Sequence, residues 1–362
     1  MVSQQRIFFD FLQFCIGSVV EIPASVKDAD WKVLYAIAKK QALIGVLFHG
    51  IKQLPKEIAP DEDLLMTWMG MAQRIRQQNA RLFMDSAKVC KNFMQEKFRC
   101  CILKGQGNAL LYPDPYMRTP GDIDIYLSGG RKRIMQYVNK VCPNQVMRYH
   151  HVDFPVMKTA IEVHFTPSYM FFPLHNSRMQ KWFGKVMDLQ CSNRVTLPDG
   201  YGEITVPTTS FNVIYILSHL YRHVFTEGIG LRQLLDYYFN IERCNDGNIE
   251  ILQRELKHLG LWKFAKAVMY VLHEVFGLSE DKMIAPMDDK EGKFLLDEIM
   301  RGGNFGQYDT RLGSKEDEGK LHRYLRMNLR NLRFVRHYPT EALSEPLFRT
   351  WFAVWKKTHG IR

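Results

Sequence analysis

Short strand-like segments lie between two long stretches of helical spacing, and this arrangement limits the folds open to the chain. Residues 98–103 are apolar and end at a turn, whereas residues 122–127 alternate polar and apolar side chains. Two more strands are expected over 146–157 and 159–165. Strands grouped between helical segments predict an α+β fold. The expected divisions are an N-terminal helical segment, an α/β core and a C-terminal helical domain with a basic tail: 1–97, 98–207 and 208–362.

The charge indicates which class of partner the chain favours, and the cysteine content indicates its redox compartment. The chain of 362 residues has 49 Lys and Arg against 38 Asp and Glu, a formal net charge of +11 that favours anionic partners. Its seven cysteines are an odd number without a CxxC pair, which favours reduced thiols. No apolar run reaches the length of a membrane span, and no segment is typical of a signal peptide. We therefore expect a cytoplasmic protein with no membrane contact.

Three carboxylates fall on the predicted strands. Asp122 and Asp124 are two residues apart, so a strand places both side chains on one face. Glu162 lies on another alternating strand, between apolar neighbours. Carboxylates crowded in this way repel each other unless a cation lies between them, and Mg²⁺ binds carboxylate and phosphate oxygens. We expect replacement of both aspartates by Asn to remove Mg²⁺-dependent nucleotide binding and to leave the fold intact or more stable.

A turn directly after the first predicted strand can approach a phosphate group. Gly105 allows close approach of backbone N–H groups, and the positive charge of Lys104 can neutralise phosphate oxygens. Arg118 either binds phosphate or holds the proline-bordered loop 113–120, and the sequence favours neither role. The turn and the carboxylates together predict a site for a metal-bound nucleotide.

These motifs resemble the uncharacterised nucleotidyltransferase family of the polymerase-beta-like nucleotidyltransferase superfamily. The matching segments are Leu103-Lys104-Gly105, Tyr112-Pro113-Asp114, Arg118, Gly121-Asp122-Ile123-Asp124 and Ile161-Glu162-Val163-His164. The resemblance implies a small mixed β-sheet flanked by helices, with Mg²⁺ or Mn²⁺ on Asp122, Asp124 and Glu162. It places the nucleoside triphosphate on four residues: Lys104, Gly105, Gln106 and Arg118.

The resemblance implies transfer of a nucleoside monophosphate from a triphosphate to an acceptor hydroxyl, with the three carboxylates as catalytic residues. Gln106 stands where the wider superfamily usually has Ser or Gly, which keeps open a non-catalytic nucleotide-binding or interaction protein on the same scaffold. A glycosyltransferase with an Asp-x-Asp motif is the other alternative. The sequence does not identify the acceptor. An anionic acceptor and a nucleic-acid acceptor are both open alternatives.

Other polar residues have simpler interpretations. His219 and His223 share a helix face and are expected to be core or supporting residues, because no third zinc ligand accompanies them. Arg232 and Asp236 are four residues apart, which favours an ordinary helix ion pair, although the family resemblance leaves a site role open. The neighbours His150-His151 would point to opposite sides of a strand, which gives no role to either.

The C-terminal segment carries much of the positive charge. Residues 320–362 hold ten Lys and Arg against two Glu. One helical face carries arginines and the other leucines: Arg323, Arg326, Arg330 and Arg333; Leu321, Leu325, Leu329 and Leu332. A solvated amphipathic helix and a basic wall of the cleft are both open. For the second case we expect buried leucines and arginines facing Asp122, so that Gln at Arg326 and Arg330 weakens binding in a salt-dependent way with little effect on stability.

Overall fold

The computed structural model describes residues 2–244, 249–311 and 319–359, and it shows an α+β protein. The helices before the sheet are α1 (Gln4–Ile16), α2 (Trp31–Lys40), α3 (Ile44–Ile51) and α4 (Glu62–Gln95). The central elements are β1 (Cys100–Ile102), α5 (Gln106–Ala109), β2 (Ile123–Leu127), α6 (Gly130–Val141), β3 (His151–Asp153), β4 (Ile161–His164), α7 (Pro173–Gln190), β5 (Arg194–Thr196) and β6 (Glu203–Thr205). The following helices are α8 (Thr209–Thr226), α9 (Leu231–Glu242), α10 (Ile249–His258), α11 (Trp262–Phe276), α12 (Asp289–Gly302), α13 (Lys320–Val335) and α14 (Pro339–Thr358).

A four-stranded mixed sheet lies at the centre of the chain, as the resemblance implied. Its strand order is β1-β2-β4-β3, with β2 parallel to β4 and the two outer pairs antiparallel. Asp124 on β2 pairs in register with Glu162 on β4. Residues in register on adjacent strands share a face, so the backbone alone places these two carboxylates side by side. Strands β5 and β6 form a separate hairpin.

Alternation along β2 fixes which of its side chains enter the core. Ile123, Ile125 and Leu127 are almost fully buried in a hydrophobic cluster with Phe83 and Phe93 of helix α4. Burial of each such side chain contributes roughly 1.5–3 kcal/mol, so a shift of one residue in β2 would be strongly unfavourable. The long helix α4 therefore supports the strand that presents Asp124.

Two expected strands are shorter in the structure. The segment predicted as a strand over 146–157 contains only β3, preceded by one isolated bridge between Met147 and Val152. The segment predicted over 159–165 becomes β4 at Ile161–His164. The short helix expected near Asn108 begins earlier, at Gln106.

The helices on either side of the sheet share one hydrophobic core. Helix α1 packs against α11, and buried residues such as Phe8, Phe11, Phe225 and Phe276 belong to one cluster. Helix α8 is buried along almost its whole length and packs against α9. The three-part division of the chain stays a prediction. Within the described residues, no helix combines the length and the apolar character needed to span a bilayer.

The orientation expected for the basic C-terminal helix is wrong. Leu325, Leu329 and Leu332 of α13 are more than half exposed, and the side chain of Leu321 lies outside the described residues. The inward stripe is Asn331, Phe334 and, just beyond the helix, Tyr338, with spacings of three and four. Tyr324 and Met327 continue it toward the start of the helix but are only partly buried. Aromatic side chains bury more apolar area than leucine, and this stripe covers the core instead.

The arginines of α13 do not form a wall of the cleft that holds Asp122. Arg333 bridges Glu298 and Asp309 at 2.9 and 2.8 Å, and Arg330 is buried beside Phe334. The charge of Arg323 is a minor contribution to the lowered pKa of Glu227, which borders the cleft. Because Arg330 is buried, its replacement by Gln would affect packing as well as charge.

Candidate functional site

A polar cleft of about 470 Å³ lies between the sheet and helices α8 and α9. Its volume falls in the usual range for small-molecule sites. The cleft brings together six of the seven residues that the sequence singled out: Lys104, Gly105, Arg118, Asp122, Asp124 and Glu162. Polar groups of the helices form the opposite side: His219, Arg222, His223, Glu227, Arg232 and Asp236.

Asp124 is held by two partners, a lysine and a histidine. Its Oδ2 atom lies 3.1 Å from Lys104 Nζ, and its Oδ1 atom lies 2.9 Å from His164 Nε2. Burial alone would raise the pKa of Asp124, but Lys104 and His164 outweigh it, so the pKa lies well below the usual range. Asp124 is therefore a fixed carboxylate at neutral pH.

Asp122 has the opposite environment, although it is only two residues away. The charge of Asp124 and then burial raise the pKa of Asp122 to about 6, and Glu162 adds to this while Lys104 opposes it. The negative charges around Asp122 are thus only partly neutralised by the protein's own cations. This residual charge is what a bound divalent cation would compensate.

Glu162 contacts two histidines. Its Oε2 atom lies 3.3 Å from His151 Nδ1 and 3.6 Å from His164 Nε2. Burial raises the pKa of Glu162, but the hydrogen bond with His164 and the neighbouring histidines lower it below its usual value. Ligand atoms of Asp124, Glu162 and His164 all lie within 4.8 Å of one another.

The carboxylates fit a divalent cation that prefers oxygen ligands. Asp122, Asp124 and Glu162 border one cleft, and Lys104 pairs with Asp124. Among the described residues, the group of ligand atoms within 4.8 Å contains Asp124 and Glu162 but not Asp122. The imidazole of His164 lies between two carboxylates. Burial lowers the pKa of His164, but the hydrogen bonds to these carboxylates outweigh burial and raise it. This position therefore favours positive charge. Such a donor set suits Mg²⁺ or Mn²⁺.

Gly105 turns the chain toward the carboxylates, whereas Gln106 turns away from the cleft. Gly105 has φ +56° and ψ −113°, a conformation that favours glycine, and it borders the cleft beside Asp122. The side chain of Gln106 is buried and donates a hydrogen bond of 3.3 Å to Asn79 Oδ1. The Gln106 side chain is thus used in packing against α4, which differs from the expected contact with nucleotide.

Arg118 has a structural partner that the sequence did not indicate. Its Nε and Nη2 atoms each lie 2.8 Å from a different carboxylate oxygen of Asp236, and both side chains are buried. Tyr112 also donates to Asp236, at 2.7 Å. The helix ion pair expected between Arg232 and Asp236 is therefore replaced by one between Arg118 and Asp236. Arg232 instead donates to the carbonyl of Thr119.

Helices α8 and α9 place two buried arginines at the cleft that sequence reasoning had not assigned to it. Arg222 Nη2 lies 3.3 Å from His219 Nδ1 and 3.1 Å from His223 Nε2. Lys104 Nζ lies 3.1 Å from Nε2 of the same His219. The Nε atoms of Arg222 and Arg232 have no hydrogen-bond partner among the described residues. The helical side of the cleft thus offers cationic donors to an anion.

The expectation that His150 and His151 point to opposite sides of a strand is wrong. Their rings lie 4.5 Å apart between centroids, and both residues border the cleft. Strand β3 begins at His151, so strict alternation does not extend to His150. Two adjacent histidines within a predicted strand were the sequence signal of this cluster.

The profile of a family described as uncharacterised nucleotidyltransferase matches residues 27–277. The chain belongs to this family. The match spans both sides of the cleft, from helix α4 and the sheet to helices α8 and α9. The family resemblance stated from the motifs is thereby confirmed.

Comparison with other proteins adds little detail. No curated protein sequence matches the chain. A solved structure of an antigenic nucleotidyltransferase-like protein from Paracoccidioides brasiliensis is 15% identical, with a TM-score of 0.36. The alignment covers 58% of this chain and 95% of that one.

Proposed function

We propose that the protein is a metal-dependent nucleotidyltransferase that transfers a nucleoside monophosphate from a nucleoside triphosphate to an acceptor hydroxyl. The observation that carries this is the cleft itself, which has carboxylates on the sheet and buried arginines on the facing helices. A nucleotide with its metal has the complementary distribution of charge. Family membership supports the reaction class.

Asp122, Asp124 and Glu162 would hold the divalent metal. When bound, Mg²⁺ or Mn²⁺ would supply charge neutralisation of the phosphate oxygens and of the departing pyrophosphate. Asp122 is the carboxylate whose charge is least compensated by the protein, since its pKa is raised to about 6. The metal therefore has its largest electrostatic effect at Asp122.

Lys104, Arg222 and Arg232 would bind the phosphates. Lys104 is partly exposed at the cleft, and the two arginines keep an Nε donor without a partner among the described residues. Gly105 allows the backbone of the turn to approach the same phosphates. Arg118 would support this arrangement indirectly, because its bond to Asp236 fixes helix α9 against the loop that precedes β2.

Glu162 would orient the acceptor. Its pKa is lowered, so it is ionised at neutral pH and can accept a hydrogen bond from an acceptor hydroxyl. Catalysis of this kind depends on positioning and charge stabilisation more than on a strong base.

Labelling with α-³²P nucleoside triphosphates in a cell lysate, with Mg²⁺ or Mn²⁺, tests the reaction. We expect an acceptor to become labelled by the wild-type protein and labelling to fall at least about 100-fold in Asp122→Asn. His49→Gln, which changes a half-buried histidine of α3 far from the carboxylates in sequence, is the matched control and should label normally.

Two parallel measurements separate the alternatives. Transfer from UDP-sugars instead of nucleoside triphosphates would identify a glycosyltransferase. Calorimetry that shows Mg²⁺-dependent nucleotide binding without any labelled acceptor or released pyrophosphate would identify a non-catalytic binding protein. Absence of both binding and labelling would contradict the proposed function.

A further inference from the structure

We propose that His150, His151, His164 and Glu162 form a binding site for one transition-metal ion of the Zn²⁺ or Co²⁺ type. This site goes beyond the proposed nucleotidyl transfer and does not depend on it. It shares Glu162 with the carboxylate cluster but adds three imidazoles. The proposed reaction gives none of these imidazoles a ligand role, although His164 contacts both Asp124 and Glu162.

The pairing of β3 with β4 builds the cluster. His151 lies opposite His164 in the antiparallel register, and Phe165 N donates to the carbonyl of His150 at 2.8 Å. These backbone bonds hold His150 at the end of the strand pair, next to the two other histidines. The ring centroid of His164 lies 5.1 Å from that of His150 and 5.2 Å from that of His151.

Three imidazoles group at this position, and Glu162 adjoins them: one ligand atom each of His150, His151 and His164 lies within 4.8 Å of the other two. His150 Nε2 lies 3.4 Å from His151 Nδ1, and His151 Nδ1 lies 3.3 Å from Glu162 Oε2. His164 Nε2 lies 3.6 Å from the same Glu162 oxygen. Bonds of about 2.0–2.1 Å to a tetrahedral zinc ion separate neighbouring ligands by roughly 3.3–3.4 Å. The contacts of His151 with His150 and with Glu162 are close to this spacing. His164 Nε2 is held by Asp124 at 2.9 Å, so side-chain movement is required before all four residues share one ion.

Hydrogen bonding within the protein leaves this cluster incompletely satisfied. His150 and His164 are at least 95% buried, and the Nδ1 atom of each has no hydrogen-bond partner among the described residues. The contact between the rings of His150 and His151 is long for a hydrogen bond. Buried nitrogen atoms without partners are costly, and coordination through Nδ1 would relieve this cost at His150 and His164.

The donors and the access route favour a transition metal over Mg²⁺. Imidazole nitrogen suits Zn²⁺ and Co²⁺, whereas Mg²⁺ prefers oxygen. His150, His151 and Glu162 all border the cleft, so an ion has a path from solvent. A carboxylate oxygen of Asp153 lies within 4.8 Å of ligand atoms of His151 and Glu162 and adds negative charge beside the site.

Titration of the EDTA-treated full-length protein with Co²⁺ tests the site through visible d–d absorption. We expect one Co²⁺ per chain, displaced by Zn²⁺ and not by excess Mg²⁺. His150→Gln and His151→Gln should each weaken Co²⁺ binding at least about 10-fold, because each loses one of four ligands. His49→Gln is the control and should bind Co²⁺ like the wild type.

Asp122→Asn separates this site from the proposed function. That variant should lose Mg²⁺-dependent nucleotide binding and keep the Co²⁺ absorption. Circular dichroism checks that each variant folds. If the histidine variants fail to fold, a Zn²⁺-induced rise in the melting temperature of the wild type, unaffected by Mg²⁺, provides the second test. No specific Co²⁺ absorption and no Zn²⁺-induced rise in the wild type, or unchanged Co²⁺ binding in both folded histidine variants, would overturn the site.

Discussion

Asp122 and Asp124 are the same residue type and both border the cleft, but different groups surround them. Asp124 pairs with Lys104 and His164, whereas the pKa of Asp122 is raised to about 6, first by Asp124 and then by burial. In the metal-free protein, Asp124 is therefore stabilised by its partners and Asp122 is destabilised by its neighbours. The two aspartates should respond in opposite ways to removal of charge.

We expect Asp122→Asn to stabilise the metal-free protein at neutral pH. A pKa of about 6 in place of the ordinary 3.8 corresponds to a cost of up to about 3 kcal/mol for the ionised group. Asn has a similar shape and removes the charge, so urea unfolding in EDTA at pH 7.5 should show a higher free energy of unfolding. Destabilisation would mean that Asp122 makes a favourable structural contact.

The raised pKa of Asp122 also predicts that the free energy of unfolding depends on pH. Between pH 3.8 and about 6, the folded protein holds a proton at Asp122 that the unfolded chain has lost. This contribution to stability is therefore full below the unfolded pKa, decreases as pH rises through that window and is lost above about 6. The difference in stability between wild type and Asp122→Asn should grow over this range, and denaturant titrations at several pH values in EDTA would measure it.

Asp124→Asn should destabilise the protein, in contrast to the sequence-based expectation for the double variant. Loss of the carboxylate leaves Lys104 without its partner in a mostly buried site, which typically costs about 3–5 kcal/mol. The lowered pKa of Asp124 means that this stabilisation is present above the unfolded pKa and disappears as pH falls. Urea unfolding of Asp122→Asn and Asp124→Asn in parallel measures the two changes in the free energy of unfolding. Changes of the same sign and size would contradict the expected opposite responses.

Residue spacing was sufficient to find the carboxylates but not their partners. Period-two alternation placed Asp122, Asp124 and Glu162 near one sheet end, because strand geometry is local. The contacts of Asp124 with Lys104 and of His150 with His164 depend on strand order and on where each strand begins. Those features arise from packing between distant segments, and one sequence does not specify them.

The loop before β2 is joined to helix α9 by a buried ion pair. Arg118 and Asp236 are 118 residues apart and make two hydrogen bonds of 2.8 Å. Neither residue can leave its partner without exposing a buried charge to an apolar environment. This bond therefore fixes the relative position of two elements that border the cleft.

We expect Arg118→Gln and Asp236→Asn each to destabilise the protein by about 3–5 kcal/mol. The double variant should lose less stability than the sum of the two single losses, because neither charge is then left without its partner. The matched control is Arg301→Gln, whose partner Asp297 is half exposed, with an expected change under about 1 kcal/mol. Chemical denaturation of all four variants tests this, and additive losses would show that the pair is not coupled.

Helix α13 shows why an amphipathic pattern alone did not give its orientation. Leucines and arginines divide the helix into two faces, and burial of the leucines was the natural expectation. A third stripe, which includes Phe334 and Tyr338, proved to be the buried one. Its signal was present in the sequence, but Asn331 interrupted the apolar pattern. Pairing of Arg333 with Glu298 and Asp309, on and beyond α12, depends on tertiary packing.

On the scale of the whole molecule, the cleft exists because separate parts of the chain meet. Lys104 follows β1, whereas His219, which it contacts, lies 115 residues later on α8. The carboxylates come from the sheet, and Arg222 and Arg232 come from the helices. A ligand that contacts both sides would bind only the folded arrangement and would therefore stabilise it.

We expect a Mg²⁺ complex of a non-hydrolysable nucleoside triphosphate analogue to raise the melting temperature of the wild-type protein. Ligand at 100 times its Kd adds about 2.7 kcal/mol when only the folded state binds. Arg222→Gln and Arg232→Gln should each reduce this ligand-induced rise, since each removes a cation from the helical side of the cleft.

For each variant, the melting temperature with ligand is compared with the melting temperature without it. Any effect of the substitution on stability without ligand then cancels. The exposed variant Arg301→Gln should retain the full rise. Added salt should reduce the rise in the wild type more than in the arginine variants, because screening weakens the attraction between cations and phosphates. An unchanged rise in both cleft variants would show that the phosphates do not contact α8 and α9, and would confine nucleotide binding to the sheet side.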